Sequence, residues 1–123
     1  YNTHLDAGES QKDIDVRISQ LESLKNYIDL HSSYYPLIIA GDMNINFLNK
    51  ESRKLINQFM VDLNLKMIDW SIEKSNNKYI VDYIFYRSSE KIEISLEQGG
   101  VVDNLFGLSD HPPIGGLFNI RKK

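Results

Sequence analysis

The chain of 123 residues contains no cysteine. Disulfide staples and thiolate zinc sites are therefore excluded. No apolar run approaches the ~20 residues needed to span a bilayer, so a transmembrane segment is not expected. Basic residues are not in excess: 14 Lys and Arg stand against 17 Asp and Glu, for a net charge of −3. That balance opposes a protein that lives wrapped on nucleic acid, because phosphate neutralisation by Lys and Arg dominates such affinity. It leaves room for an enzyme that meets nucleic acid briefly through a metal ion. There is no internal repeat and no low-complexity segment. There is also no initiating Met. The chain opens at Tyr1, inside a polar cluster, and reads as a piece of something longer. A soluble protein is expected, and the compartment stays open between cytoplasm and secretion. What remains is ordinary for one globular domain with one core: 41% hydrophobic and 25% charged residues.

The pattern along the chain predicts alternating elements. Residues 1–5 read as the end of a strand and 6–12 as a loop. From Asp13, the residues Ile14, Ile18, Leu21, Leu24 and Ile28 recur at spacings of three and four, one apolar stripe on a polar helix. Ser10 or Asp13 is placed to cap the start of this helix, and Ser32-Ser33 and then Pro36 stop it. Pro36 to Ala40 is a continuous apolar run, as in a strand buried on both faces. A second helix is predicted over roughly 50–63, with Leu55, Ile56, Phe59, Met60 and Leu63 on one side. Leu65 to Trp70 suggests a short strand and 71–78 a polar surface loop. Tyr79 to Arg87 is β-branched and aromatic through most of its length, the clearest strand signal. Ile92, Ile94 and Leu96 alternate with polar residues in another strand, which Gly99-Gly100 is expected to break. Ile114 to Ile120 gives the last strand. The order β-α-β-α-β-β-β indicates an α/β (α+β) fold with a mixed β-sheet and two helices on one face.

Four polar clusters abut these strands. Asp82 lies on a strand face with Ile80 and Ile84. A carboxylate there is costly unless it is paired or hydrogen-bonded. Its partner is either a histidine ring N–H, as hydrolytic sites require, or a backbone N–H, Lys or Arg. Ser109-Asp110-His111 precedes Pro112-Pro113, two residues that stiffen the chain. Here a carboxylate can hold Mg²⁺, a hard cation that prefers oxygen, while an imidazole acts as base toward water. The plain alternative is a polar turn. Gly41-Asp42-Met43-Asn44 follows the buried strand, and Gly, Asp and Asn are also turn formers. In a site, Asp42 accepts hydrogen bonds or binds metal, and Asn44 donates to a phosphate oxygen. His4, at a strand end, is placed to donate to charge developing on phosphorus. His31 suits a helix C-terminus, and Arg17 reads as a solvated or packing residue.

Taken in order, Asn2-Thr3-His4-Leu5, Gly41-Asp42-Met43-Asn44, Asp82-Tyr83-Ile84-Phe85 and Ser109-Asp110-His111-Pro112 resemble the motifs of the endonuclease/exonuclease/phosphatase superfamily, the DNase I-like group. These motifs are spread over nearly the whole chain. The resemblance implies a four-layer α/β sandwich of which residues 1–123 supply the C-terminal half. It implies a Mg²⁺-dependent phosphoesterase, with Mn²⁺ as a substitute metal. His111 would be the general base or contact the scissile phosphate, with Asp82 orienting it. Asp110 would bind Mg²⁺. Asp42 and Asn44 would contact water and phosphate and serve a second metal. His4 would hydrogen-bond the phosphate. The substrate would be a phosphoester of nucleic acid, phospholipid or a small molecule.

This sequence departs from the pattern in two ways. The family's first half, with its strand Asn and the Glu that is the principal metal ligand, is not in this sequence. Ile80-Val81 also stands where an Arg often precedes the Asp-Tyr pair. The competing reading is an inactive fragment or binding module lacking the principal metal ligand. If this is half a sandwich, one face of the strands Leu37–Ala40 and Tyr79–Tyr86 should lie bare and apolar, a mark of a missing interface. The missing N-terminal half would then be a partner.

Overall fold

A computed structural model describes residues 1–69, 79–102, 107 and 109–123. Its elements are β1 (Asn2–His4), α1 (Gln11–Ser32), β2 (Leu37–Asp42), α2 (Lys50–Asp62), β3 (Lys66–Met67), β4 (Asp82–Arg87), β5 (Ile92–Val101) and β6 (Ile114–Lys122). The first six contribute a four-stranded mixed sheet, ordered β1-β2-β4-β3, and the two helices. β5 and β6 form a separate two-stranded ribbon. β1 runs parallel to β2, while β4 is antiparallel to both β2 and β3.

Ser10 opens α1 with a capping box. Its hydroxyl accepts from the backbone N–H of Asp13, and the Asp13 carboxylate accepts from the backbone N–H of Ser10. The stripe that faces the core differs from the one expected. Arg17, Leu21 and Ile28 are buried, while Ile18 is 41% exposed. An Arg has taken the inward position that an isoleucine was expected to hold.

Both helices pack on one face of the sheet. Leu21 and Ile28 of α1 and Ile56 and Phe59 of α2 meet Leu37, Ile39, Tyr83 and Phe85 from the strands. Each fully buried side chain of this kind, such as Ile39 or Phe85, contributes about 1.5–3 kcal/mol. The opposite face, with Ile38 level with Tyr86 and Ala40 level with Ile84, is not bare as expected. The ribbon covers it: Tyr86, Ile68 and Ile94 form a second buried cluster with Ile38, Ile84, Leu96 and Phe118. Leu117 and Ile120 of β6 remain exposed apolar residues of the ribbon.

Several element boundaries also differ from expectation. β4 begins at Asp82 rather than Tyr79, because Ile80 and Val81 spend backbone groups on the loop after β2 instead of on a ladder. β5 passes straight through Gly99-Gly100, which pair with Gly116 and Gly115, so matched glycines on both strands extend the ribbon rather than end it. Of the stretch 65–70, only Lys66–Met67 is a strand. Trp70 and the expected loop 71–78 lie outside the described residues. Among the described residues no helix is long and apolar enough to cross a membrane.

Candidate active site

The β-ladder fixes three polar side chains in one row. His4 of β1 is level with Asp42 of β2, and Asp42 is level with Asp82 of β4. Residues level with each other across neighbouring strands point to the same face. All three therefore project at the rim of the ribbon-covered face, where the strands end. Gly41 makes the row possible. Its φ of 148°, and the 1.8 Å that would separate an added Cβ from the Thr3 carbonyl oxygen, leave room only for hydrogen.

The turn after β2 is built to hold Asp42 in place. Asn44 adopts a left-handed backbone, with φ of 50°. Its N–H donates to Asp42 Oδ1 at 2.7 Å, and its Nδ2 donates to the Leu5 carbonyl at 2.9 Å. Asn44 thus ties the β2 exit to the segment just beyond His4. The loop continues as a frame. Met43 N–H donates to the Val81 carbonyl and Phe47 N–H to that of Ile80. Asn46 Oδ1 accepts from the N–H groups of Leu48 and Ile80. The buried Tyr83 hydroxyl donates to the Ile45 carbonyl.

The segment before β6 delivers His111. Its Nδ1 lies 2.8 Å from Asp82 Oδ2 and 3.7 Å from Asp42 Oδ2. His4 Nε2 is 3.6 Å from Asp42 Oδ2. The Asp82 carboxyl is pushed above its ordinary value, first by burial and then by the Asp42 charge, while His111 and His4 oppose the shift. Its bond to Asp82 fixes the His111 tautomer with the proton on Nδ1. His111 Nε2 has no hydrogen bond to a described residue, so its lone pair is free to accept a proton. Asp110 is exposed beside it and accepts from the Ser109 hydroxyl at 3.3 Å.

Ligand atoms of Asp42, Asp82 and His111 all lie within 4.8 Å of one another. The two carboxylates of this group suit a hard divalent cation, which such sites hold through one or two carboxylates while keeping several waters. A cavity of about 660 Å³ opens next to the cluster and is lined by Asn44, Asp110 and His111 together with Arg17 and Asn46. The structure thus brings His4, Asp42, Asn44, Asp82 and His111 into one place, with Asp110 on the same cavity wall. His31 is not among the residues of this cluster or cavity; it is exposed on α1, its ring 4.3 Å from that of Tyr27. Sequence reading missed Asn46, whose side-chain carbonyl anchors the frame, and left open whether Arg17 turns inward, as it does. The second had a signal: Arg17 is three residues after Ile14 and four before Leu21.

No known protein-family model and no curated protein matches this chain. Solved structures do. The human Nocturnin catalytic domain with a bound sulfate anion superposes with a TM-score of 0.61 at 20% identity, covering 98% of this chain and 46% of that one. Beta toxin from Staphylococcus aureus superposes with a TM-score of 0.59 at 19% identity, covering 94% and 50%. A β-hairpin deletion mutant of the same toxin gives 0.50 at 20% identity, covering 69% and 37%. The chain therefore spans about half the length of the structures it matches. At these identities the likeness bears on the fold, and the chemistry must be argued from the side chains.

Proposed function

We propose that this chain, which has the DNase I-like fold, carries one half of a metal-dependent phosphoesterase, the C-terminal half of the domain. The observation that carries the reading is the His111–Asp82 pair at 2.8 Å, set against a row of His4 and Asp42 at the strand ends. A carboxylate-held imidazole with a free Nε2 takes a proton from water as it attacks phosphorus in line. Protonated, it stays paired with Asp82, so the charge is stabilised where it forms. His4 is mostly exposed and lies on the far side of Asp42, where it can donate to a phosphate oxygen. Asp42 and Asp82, with Asp110 nearby, would hold Mg²⁺ or Mn²⁺. When bound, such a metal would neutralise phosphate charge. Asn44 keeps Asp42 aimed by binding its Oδ1 and anchoring to Leu5.

The test uses the chain together with a segment supplying the first half of the sandwich. Bis(p-nitrophenyl) phosphate should be hydrolysed, EDTA should stop the reaction, and Mg²⁺ or Mn²⁺ should restore it. The chain alone should bind Mg²⁺ weakly and show negligible turnover. Full turnover in chelator would refute the metal-dependent reading. Metal-dependent turnover by these residues alone would refute the half-domain reading.

A further inference from the structure

Arg17 is buried, with only 9% of its surface exposed. It nevertheless forms no ion pair with any described carboxylate. Asp13, one turn earlier on α1, spends its Oδ2 on the backbone N–H and hydroxyl of Ser10. Only one guanidinium nitrogen of Arg17 is occupied. Nη1 donates to the Gly8 carbonyl at 2.6 Å and to the Asp6 carbonyl at 3.2 Å. The other edge, Nε with Nη2, has no acceptor among the described residues. Asp13 acts on the Arg17 charge only through space, and burying a guanidinium with unmet donors is unfavourable unless something answers them.

Arg87 shows what this protein does when an arginine serves the fold alone. It is equally buried, and all three of its nitrogens donate: Nη1 to the Leu63 carbonyl at 2.8 Å, Nη2 to the Ser32 carbonyl, and Nε to the Tyr35 carbonyl at 3.4 Å. Arg17 instead lines the cavity that holds Asn44 and His111. Among the described residues of that lining it is the one side chain with a permanent positive charge. The edge left over is a complete two-donor fork, the shape that matches the paired oxygens of a phosphate or carboxylate.

We propose that Arg17 binds an oxyanion in this cavity, a phosphate or carboxylate group of the substrate distinct from the group attacked beside His111. The inference rests on the phosphoesterase reading for the word substrate, and on Arg17 alone for the anion. It narrows the substrate class to phosphoesters bearing a second anionic group. The carbonyls of Asp6 and Gly8 hold the guanidinium in register, so the fork is organised before the ligand arrives.

The experiment is a titration of the folded chain with inorganic phosphate in metal-free buffer, read by the ¹⁵N–¹H resonance of Arg17 Nε. That resonance should move and saturate. Arg17→Gln should lose about tenfold or more in phosphate affinity, the loss of a charge-assisted bidentate pair. Arg17→Lys keeps the charge but not the fork, and should recover only part of it. In the complemented enzyme, Arg17→Lys should raise KM for a substrate with a second anionic group and leave kcat nearly unchanged. An Arg17 resonance that stays still up to about 50 mM phosphate, far beyond the ~1 mM affinity scale of a weak site, would overturn the proposal without needing any variant to fold. So would a folded Arg17→Gln chain that binds phosphate like the parent. His111→Ala leaves this titration intact, so an inert dyad with a responsive Arg17 would sink the phosphoesterase reading alone.

Discussion

The β2–β4 ladder has two ends that use the same kinds of polar side chain for opposite purposes. At one end Leu37 is level with Arg87, and at the other Asp42 is level with Asp82. Arg87 closes its end. Its guanidinium answers backbone carbonyls from the last turn of α1 and from the C-cap of α2, groups that a helix leaves unpaired. The other end stays open. Two carboxylates sit side by side, and the histidines that answer them belong to β1 and to the segment before β6. Buried polarity that is fully satisfied fixes the fold. Buried polarity that is satisfied only on one side keeps a group ready for something else. The ladder teaches where to look for function: at the end whose polar groups have reactive capacity left over.

Mutations at the two ends should separate activity from stability. The largest effect is expected at the open end. His111→Ala in the complemented enzyme should cut kcat by about 10²–10⁴-fold, the usual contribution of a general base, while the melting temperature moves little. A melting temperature that falls with the activity would erase the distinction. Gly41→Ala should be almost as damaging for a different reason. The added methyl meets the Thr3 backbone oxygen, so β1 must leave its place, and a loss of about 3 kcal/mol or more should appear in urea unfolding. At the closed end, Arg87→Ala takes its donor from the Leu63 carbonyl and unties it from the end of α1, where the Ser32 carbonyl keeps the Tyr35 N–H. It should cost about 2–4 kcal/mol, read by the same unfolding experiment.

The carboxylate row gives a pH signature that sharpens the contrast. The folded Asp82 carboxyl titrates above its unfolded value, so the native state holds a proton that the unfolded chain has released. Stability therefore falls as pH rises from about 4, the unfolded value, through the folded one. Asp82→Asn removes that dependence. Its melting temperature should gain on the parent between about pH 4 and pH 7 while turnover is lost. A difference that shrinks over this range would mean that Asp82 is stabilised as the anion. The smallest effect is expected from Asn49→Ala. Asn49 caps α2 at the open end by accepting from Glu51 and Ser52, and its loss should cost about 1 kcal/mol.

Much of the open end was legible in the sequence because strand ends concentrate it. Each of the four motifs abuts a strand, and a parallel β1–β2 pair with an antiparallel β4 necessarily lines up their polar ends. Asp82 stood out because a carboxylate among Ile, Tyr and Phe needs a partner. The closed end was hidden. Nothing local marks Arg87 as the residue that meets two helix ends, since Ser32 and Leu63 lie far from it along the chain. Arg17 was left open between solvent and packing because a long charged side chain can do either, and the stripe was drawn through Ile18 instead. The ribbon escaped for a similar reason. Gly99-Gly100 reads as a break until Gly115-Gly116 is seen opposite. Pairing decides what a glycine does in a strand, and pairing is not local.

Everything proposed for the open end depends on His111 and Asp82 working as one unit on a phosphoester. The most direct test is a double-mutant cycle on kcat/KM for a phosphodiester, with the complemented enzyme carrying His111→Ala, Asp82→Asn, or both. Residues that act as a unit are strongly non-additive. The double variant should be no slower than the slower single variant, with each single variant depressed by about 10²-fold or more. Losses that multiply, or single variants that hydrolyse like the parent, would contradict the paired role.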